Sequence, residues 1–453
     1  MPGGTLAGVT SPAPPPAEAR RPGLRDAARA LQERDFAVFW TGALLSNIGG
    51  WVQRTTIPFV IFEMTGSASW VGLAIFLQFL PAVALGPLGG SLADRHSRRS
   101  MLMATQSGMA VLAVVLFGVF AVGTESPVLV VALVSITGVL GGLNMPAWQS
   151  FVTELVPRHL LLNAITLNSA QFNGAKAIGP AAAGIILATG GPAAAFAFNA
   201  VSYAAVLIAL ALIAPRPAAG AGRPRPRLWP ELGDTVRYVR ARPGIVVAIK
   251  LVLVLGLTGG VVFNFVKVFA DDVFHVGDTA FGALSAAIGT GAILGAPIIA
   301  GWGSGQPRSR LAYASTVAYG MGVAAFALAP TAWIGGAALM VVGAAHLALA
   351  STLNTTIQLL VDDHMRGKVM SLYLMGLTVS VPVGSLVQGL FVDWAGPRPT
   401  VLVAGLLLAG AGLWHGVHRR SLGAMDDGEI DGTEEPRVVT PFPEPGIAPT
   451  GGG

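Results

Sequence analysis

The chain has 453 residues, 53% of them hydrophobic and only 11% charged, with no cysteine, a net charge of +5 and a mean hydropathy of +0.66. Soluble domains carry about 25% charged residues, so the composition excludes an ordinary soluble globular protein and predicts a polytopic membrane protein. The missing cysteine excludes disulfides, thiolate metal sites and cysteine nucleophiles.

Residues 1–33 are Pro- and Ala-rich and lack the apolar core and cleavage site of a secretory signal, which predicts a disordered cytoplasmic tail. A first half over 34–214 opens with an apolar span from Phe36 to about Phe62, and further spans start near Trp70, Met101, Val128, Leu161 and Ala193. Between 215 and 243 the sequence PRPAAGAGRPRPRLWPELGDTVRYVRARP is too polar to insert and suits a cytoplasmic linker. A second half over 244–418 has spans starting near Gly244, Thr279, Leu311, Trp333, Val369 and Thr400. Residues 419–453 are rich in Gly, Pro and acids and read as a second disordered cytoplasmic tail. Spans of about 20 residues predict an all-α integral membrane protein of twelve transmembrane helices in two six-helix halves.

With the N-terminus taken as inside, 23 of the 28 Lys and Arg fall on the inner side. Arg398 alone falls in an outer loop, and Arg54, Lys176, Lys250 and Lys267 lie within spans. The positive-inside rule then puts both termini in the cytoplasm of a multi-pass protein of the cell inner (cytoplasmic) membrane. The same asymmetry accounts for the basic charge without nucleic acid, for which no interleaved basic and aromatic patch exists.

An internal repeat supports two halves. Leu167, Gly179 and Gly184 recur as Leu372, Gly384 and Gly389 at an offset of 205 residues, and Gly90 and Arg99 recur as Gly301 and Arg310 at an offset of 211. Asp94 falls opposite Gly305. Parallel repeats of this kind place a substrate site between the halves near mid-membrane.

The run GSLADRHSRR, Gly90 to Arg99, cannot cross a bilayer and reads as a short loop gripping the ends of two helices. Gly90 lets helices approach, and Asp94 is available to Arg95, Arg98 or a neighbouring helix N-terminus. Its spacing resembles the G-x-x-x-D-R/K-x-G-R/K-R/K loop of major facilitator superfamily transporters through Gly90, Asp94, Arg95, Arg98 and Arg99, with Ser97 standing in a glycine position. The segment Gly174 to Gly184 resembles the G-x-x-x-x-G-P motif of that superfamily's antiporters, the last glycine one place late. Gly174, Gly179, Pro180 and Gly184 either bend this helix against a neighbour or serve packing alone. Gly291 and Gly295 read as packing. FAVFWTGALLSNIGGWVQ, FEMTGSASWVGL, FLQFLPAVALGPLGGSLADR and WQSFVTELVPRHLLLNAITLNSAQFNGAKAIGP resemble the exporter branch containing enterobactin and macrolide efflux proteins, over 36–418. That resemblance implies outward transport of a bulky amphipathic molecule (a siderophore, antibiotic or metabolite) by proton antiport.

A Lys or Arg at a helix centre costs roughly 2.5–3.5 kcal/mol on insertion scales, so the charges inside spans are the mechanistic clues. Lys176 is near the middle of span five, and Ser169, Asn173, Lys176 and Pro180 share a stripe about 60° wide. This stripe either faces a wet cavity or bonds an Asn or Ser of a neighbouring helix. Three of the four lysines lie in spans, and lysine, unlike arginine, can exchange its proton. Lys176 is therefore expected to bind an anionic or electronegative substrate and to change protonation as the cavity alternates.

Arg54 and Lys267 read as snorkelling toward the outer side and Lys250 toward the inner. Glu63 and Asp393 fall at outer ends and Glu154 near an inner end. Glu63 gates the outer side, carries a proton or caps a helix, and Glu154 holds Arg95 or Arg98 in the inner latch. His346, inside span ten, is a proton relay or a satisfied interior residue. Spans one, four, five, seven, eight, ten and eleven are expected to line the cavity, with Gln53, Arg54, Gln78, Asn168, Asn173, Lys176, Asn264, His346 and Asn354 as polar contacts.

The expected function is a monomeric secondary active efflux transporter working by alternating access in the lipid bilayer, with a small-molecule substrate and protons as partners. An importer or facilitator of a small polar solute is the alternative, because a fold does not fix direction. A membrane-embedded sensor or enzyme is the other, against which stands the lack of a His/carboxylate metal cluster or a nucleophile and base pair. No cofactor, metal or enzymatic activity is expected.

Overall fold

Helices begin where a capping group meets an apolar run, and end where the backbone can turn. The computed structural model describes residues 29–124, 126–214, 228–301, 303–417 and 423–426, with backbone alone at 82, 86–95, 228–231, 304 and 363. Helix α1 (Arg34–Thr65) stops at Gly66, whose φ of 60° lets its N–H donate to the Phe62 carbonyl. Helices α2 (Ala68–Arg95) and α3 (Arg98–Ala121) follow, then α4 (Pro127–Glu154), opened by Pro127 behind the Ser126 cap.

The helix Leu161–Leu212 holds one non-helical residue, Gly191 at φ 68°, with Pro192 after it. It is two spans, α5 (161–190) and α6 (192–212). On α1, the Trp40 indole donates to the Leu167 carbonyl while Gly42 lies against Ala205, so the start of α5 and the end of α6 stand at one level and the chain reverses at Gly191. A linker helix, α7 (Leu228–Arg240), leads to α8 (243–273), whose regular turns are interrupted by π-helical turns at Leu255–Gly259 and Phe269–Val273. The remainder is α9 (Asp278–Gly301), α10 (Arg308–Leu328), α11 (Ala332–Leu360), α12 (Asp363–Ala395) and α13 (Pro397–Val417).

Among the described residues ten helices are long and apolar enough to cross a membrane. One of them is the folded α5–α6 pair, and α1, which carries Arg34, Asp35, Arg54 and Glu63, runs the same length beside them. Twelve crossings result. Most begin within three residues of the expected starts; α12 begins six residues before Val369, because its helix includes the polar first turns DHMRGK, which the apolar pattern leaves out.

The Gly90–Arg99 loop requires a correction. Helix α2 continues to Arg95, and the turn is only His96 and Ser97. Ser97 sits in extended backbone at φ −63°, where glycine's freedom is not needed, and its hydroxyl accepts from the Ser100 N–H as the cap of α3. Charge marks where the membrane ends, not where the helix does.

The Ala30 N–H bonds Asn163 at the start of α5, the Ser309 N–H at the start of α10 bonds Asp426, and Gly244 at the start of α8 lies against Ala424. Ala30, the segment 424–426 and these helix starts therefore share one face, called the terminal face; the other is the far face. The internal repeat is visible in packing: Gly179 of α5 lies on Trp51 of α1 as Gly384 of α12 lies on Leu257 of α8. Gly184 meets Gly282 of α9 as Gly389 meets Ala68 of α2. Gly291 and Gly295 pack on Met340 and Ala344 of α11. Any side chain at these contacts would run into a neighbouring helix, at about 1–3 kcal/mol. Exposed Trp333 and Trp394 stand at helix ends on the far face, where an aromatic belt meets the lipid boundary.

Candidate substrate and coupling site

Lys176 lies one turn before Gly179, the residue that draws α5 onto Trp51. The backbone stays helical through Pro180, so the Gly-Pro segment serves close approach here, and the break in this stretch falls at Gly191. On the other side Gly289 of α9 lies against the Ala177 carbonyl, so Lys176 stands at the seam between the halves. His346 comes to this seam on α11, and the Lys176 Nζ is 3.1 Å from its Nε2. The two residues are 170 positions apart and belong to different halves.

Aromatic rings enclose this contact. Phe263 of α8 and Tyr319 of α10 have ring centroids 5.3 Å and 5.6 Å from that of His346. Lys176 Nζ is 5.6 Å from the Phe263 ring and 5.9 Å from Trp51. At the π-helical turn of α8 the buried Tyr319 hydroxyl donates to the Gly259 carbonyl at 2.8 Å. Lys176 donates to Nε2 when the imidazole is neutral and its lone pair free. With both groups protonated there is no acceptor between them, and two positive charges repel. Nδ1 of His346 has no hydrogen-bond partner among the described residues.

Arg54 of α1 is exposed, its guanidinium 5.1 Å from the Trp51 ring and 5.8 Å from Phe79 of α2. Neither Arg54 nor Lys176 has a carboxylate partner among the described residues.

The far face is built on the opposite plan. Lys267 of α8, 3% exposed, is 2.8 Å from Asp278, 2.9 Å from Glu63 of α1 and 3.2 Å from Asp271, with the Phe59 ring 4.2 Å away. This corrects the snorkelling expected of Lys267: it is buried and held by three carboxylates, one a turn later on its own helix, one from α1 and one from the start of α9. Sequence reasoning missed Asp271 and Asp278, although the Lys267–Asp271 spacing of four is readable as a helical pair. Asp393 of α12 accepts from the Ser67 hydroxyl (2.6 Å) and from the Ala68 and Ser69 N–H groups (2.7 Å and 3.0 Å), capping α2. With Gly184 on Gly282, these contacts tie one half to the other on the far side of Lys176.

The remaining predicted residues scatter. Gln53 is buried and accepts from Asn199 of α6 at 2.6 Å, inside one half rather than toward the seam. Asn168 accepts from the Trp148 indole at 3.3 Å, and exposed Asn173 bonds its own helix at Ser169. Asn264 donates to Ser385 of α12 at 2.6 Å, Asn354 pairs with Gln358 on its own helix, and the Gln78 backbone lies against Gly138. In the latch, Arg98 pairs with Glu154, joining α3 to α4, and Arg99 donates to the Leu210 and Ala211 carbonyls at the end of α6. Gly90, Asp94 and Arg95 lie on α2 with side chains outside the described residues.

The sequence matches the family described as transmembrane secretion effector over residues 27–445. Macrolide efflux protein A of Streptococcus pyogenes is 24% identical over 381 residues, covering 82% of this chain and 93% of that protein. The staphyloferrin A transporter of Staphylococcus aureus (strain NCTC 8325 / PS 47) is 25% identical over 176 residues, 38% of this chain and 44% of that protein; the match thus spans less than half of that relative. In architecture the chain is similar to a bacterial homolog of the human lysosomal transporter Spinster, crystallised in an inward-facing and unoccupied conformation. The TM-score is 0.71 at 14% identity, over 87% of this chain and 99% of that one.

Proposed function

The chain belongs to the transmembrane secretion effector family of the major facilitator superfamily, which makes it a multi-pass secondary transporter and not an enzyme, and from that premise we propose that it exports a bulky amphipathic small molecule by alternating access coupled to proton antiport. The observation that carries this reading is the Lys176–His346 contact between the halves. Rocking of one half against the other must break it, and proton uptake by the imidazole favours the broken state because Nε2 then no longer accepts. A substrate group that takes the place of Nε2 at Lys176 competes for the same ammonium. Substrate and proton thus act on one contact, so the state of one alters the affinity for the other.

Charge sets the orientation in the membrane. Arg98, Arg99, Arg158, Arg242, Arg308 and Arg310 stand on the terminal face, which supports a cytoplasmic location for it and for both chain ends, in the cytoplasmic membrane. The protein acts as a monomer in this reading, since each half contributes one member of the pair. The test is transport into proteoliposomes with the terminal face outward, against a panel of siderophores, macrolides and lipophilic cations. Export by antiport predicts uptake that requires an acid lumen. Uptake that requires an alkaline lumen, or that ignores the gradient, overturns it.

A further inference from the structure

Several cations near the ends of this bundle are matched by oxygen. Lys267 has three carboxylates, Arg98 has Glu154, Arg242 has Asp362, and Arg398 donates to the Ala327 and Ala329 carbonyls. Arg54 and Lys176 break the pattern. They sit within spans, where an ion is costly, and what faces them is Trp51, Phe79, Phe263 and a histidine. Both lie over the same indole ring, so the two positive groups share one chamber.

We infer that this chamber is a two-point receptor for an amphipathic dianion, whose flat apolar body rests among Trp51, Phe79 and Phe263 while one acidic group binds Arg54 and the other Lys176. The inference rests on the reading above that the seam is the substrate site, and it adds the substrate's charge. A guanidinium over a ring keeps its edge N–H groups free for bidentate capture of a carboxylate or phenolate. Lys176 spends one of its three donors on His346 and has two left for an acceptor. The rings supply contact area without competing acceptors. A lipophilic amine of the same shape meets two like charges, so the chamber selects against it.

The test uses two dyes with one ring system and opposite charge: fluorescein as its dianion, and tetramethylrhodamine ethyl ester, a cation. Binding to the purified full chain in detergent is read by fluorescence polarisation, without a gradient. Fluorescein is expected to bind saturably and more tightly than the rhodamine ester. Arg54→Gln and Lys176→Met are each expected to weaken fluorescein about tenfold or more and to strengthen the rhodamine ester, a gain that a misfolded variant cannot show. Arg54→Lys keeps the charge but loses the bidentate fork, and is expected to bind fluorescein more weakly than the parent and more tightly than Arg54→Gln. Absence of saturable fluorescein binding, tighter binding of the rhodamine ester by the parent, or unchanged fluorescein binding in either neutral variant overturns the inference. Because no gradient is applied, proton-independent transport with this binding pattern intact would sink the antiport reading alone.

Discussion

Two lysines stand inside the bundle under opposite conditions. Lys267 is buried under three carboxylates drawn from α1, its own helix and the start of α9. Lys176 has a histidine and two rings. The first arrangement satisfies its charge and binds the halves together at the far face; the second leaves its charge available. A transporter needs both, because a seal must hold without a ligand while a site must prefer one. Removing each charge in turn separates the roles.

The largest effect is expected at the unsatisfied lysine. Lys176→Met should lower transport by roughly ten- to a hundredfold, the loss of one charge-assisted contact, while the melting temperature holds or rises because a costly ion has left the span. Transport at the parental rate would put the site elsewhere. Lys267→Met should do the reverse, leaving Glu63, Asp271 and Asp278 to repel one another and loosening the far-face seal. The chain has no cysteine, so one introduced at buried Ser285, one turn from Gly282, is a clean reporter. An impermeant maleimide added from the far face should label it about tenfold faster in Lys267→Met, with ligand affinity nearly unchanged. Equal labelling would show that the charge cluster does not seal.

The seal can also be broken without touching a charge. Gly184→Leu drives a side chain into the Gly282 backbone and is expected to cost about 1–3 kcal/mol in unfolding measurements while also raising Ser285 labelling. Asp393→Asn is expected to be mildest, since the amide oxygen still accepts from the α2 N-terminus. Its loss of negative charge there is worth about 0.3–1 kcal/mol, read as a small fall in melting temperature that shrinks in high salt.

Much of the architecture is legible in the sequence because lipid allows so few solutions. Spans of about 20 apolar residues must be helices, and the glycine repeat at an offset of 205 reappears as equivalent packing of α5 and α12. The site is less legible. Lys176 and His346 are each conspicuous as polar residues in apolar helices, yet their contact depends on how two halves dock, which no local pattern encodes. Gln53 is equally conspicuous and turns instead toward α6, because residue type does not reveal which helical face is buried. Lys267 misleads for the opposite reason: its position near a span end suggests escape to water, whereas acids of α1, α8 and α9 converge on it. At Ser97 the family resemblance points to glycine, and the backbone there is extended, so a capping hydroxyl fits.

The central claim is that Lys176 holds a movable proton contact with His346 and not merely a fixed charge. The direct measurement is His346→Gln in proteoliposomes, scored for both pH-gradient-driven accumulation and substrate exchange at equal pH. Glutamine keeps an acceptor for the Lys176 ammonium but takes up no proton, so exchange should persist while gradient-driven accumulation is lost. Full gradient-driven accumulation by His346→Gln would contradict the account.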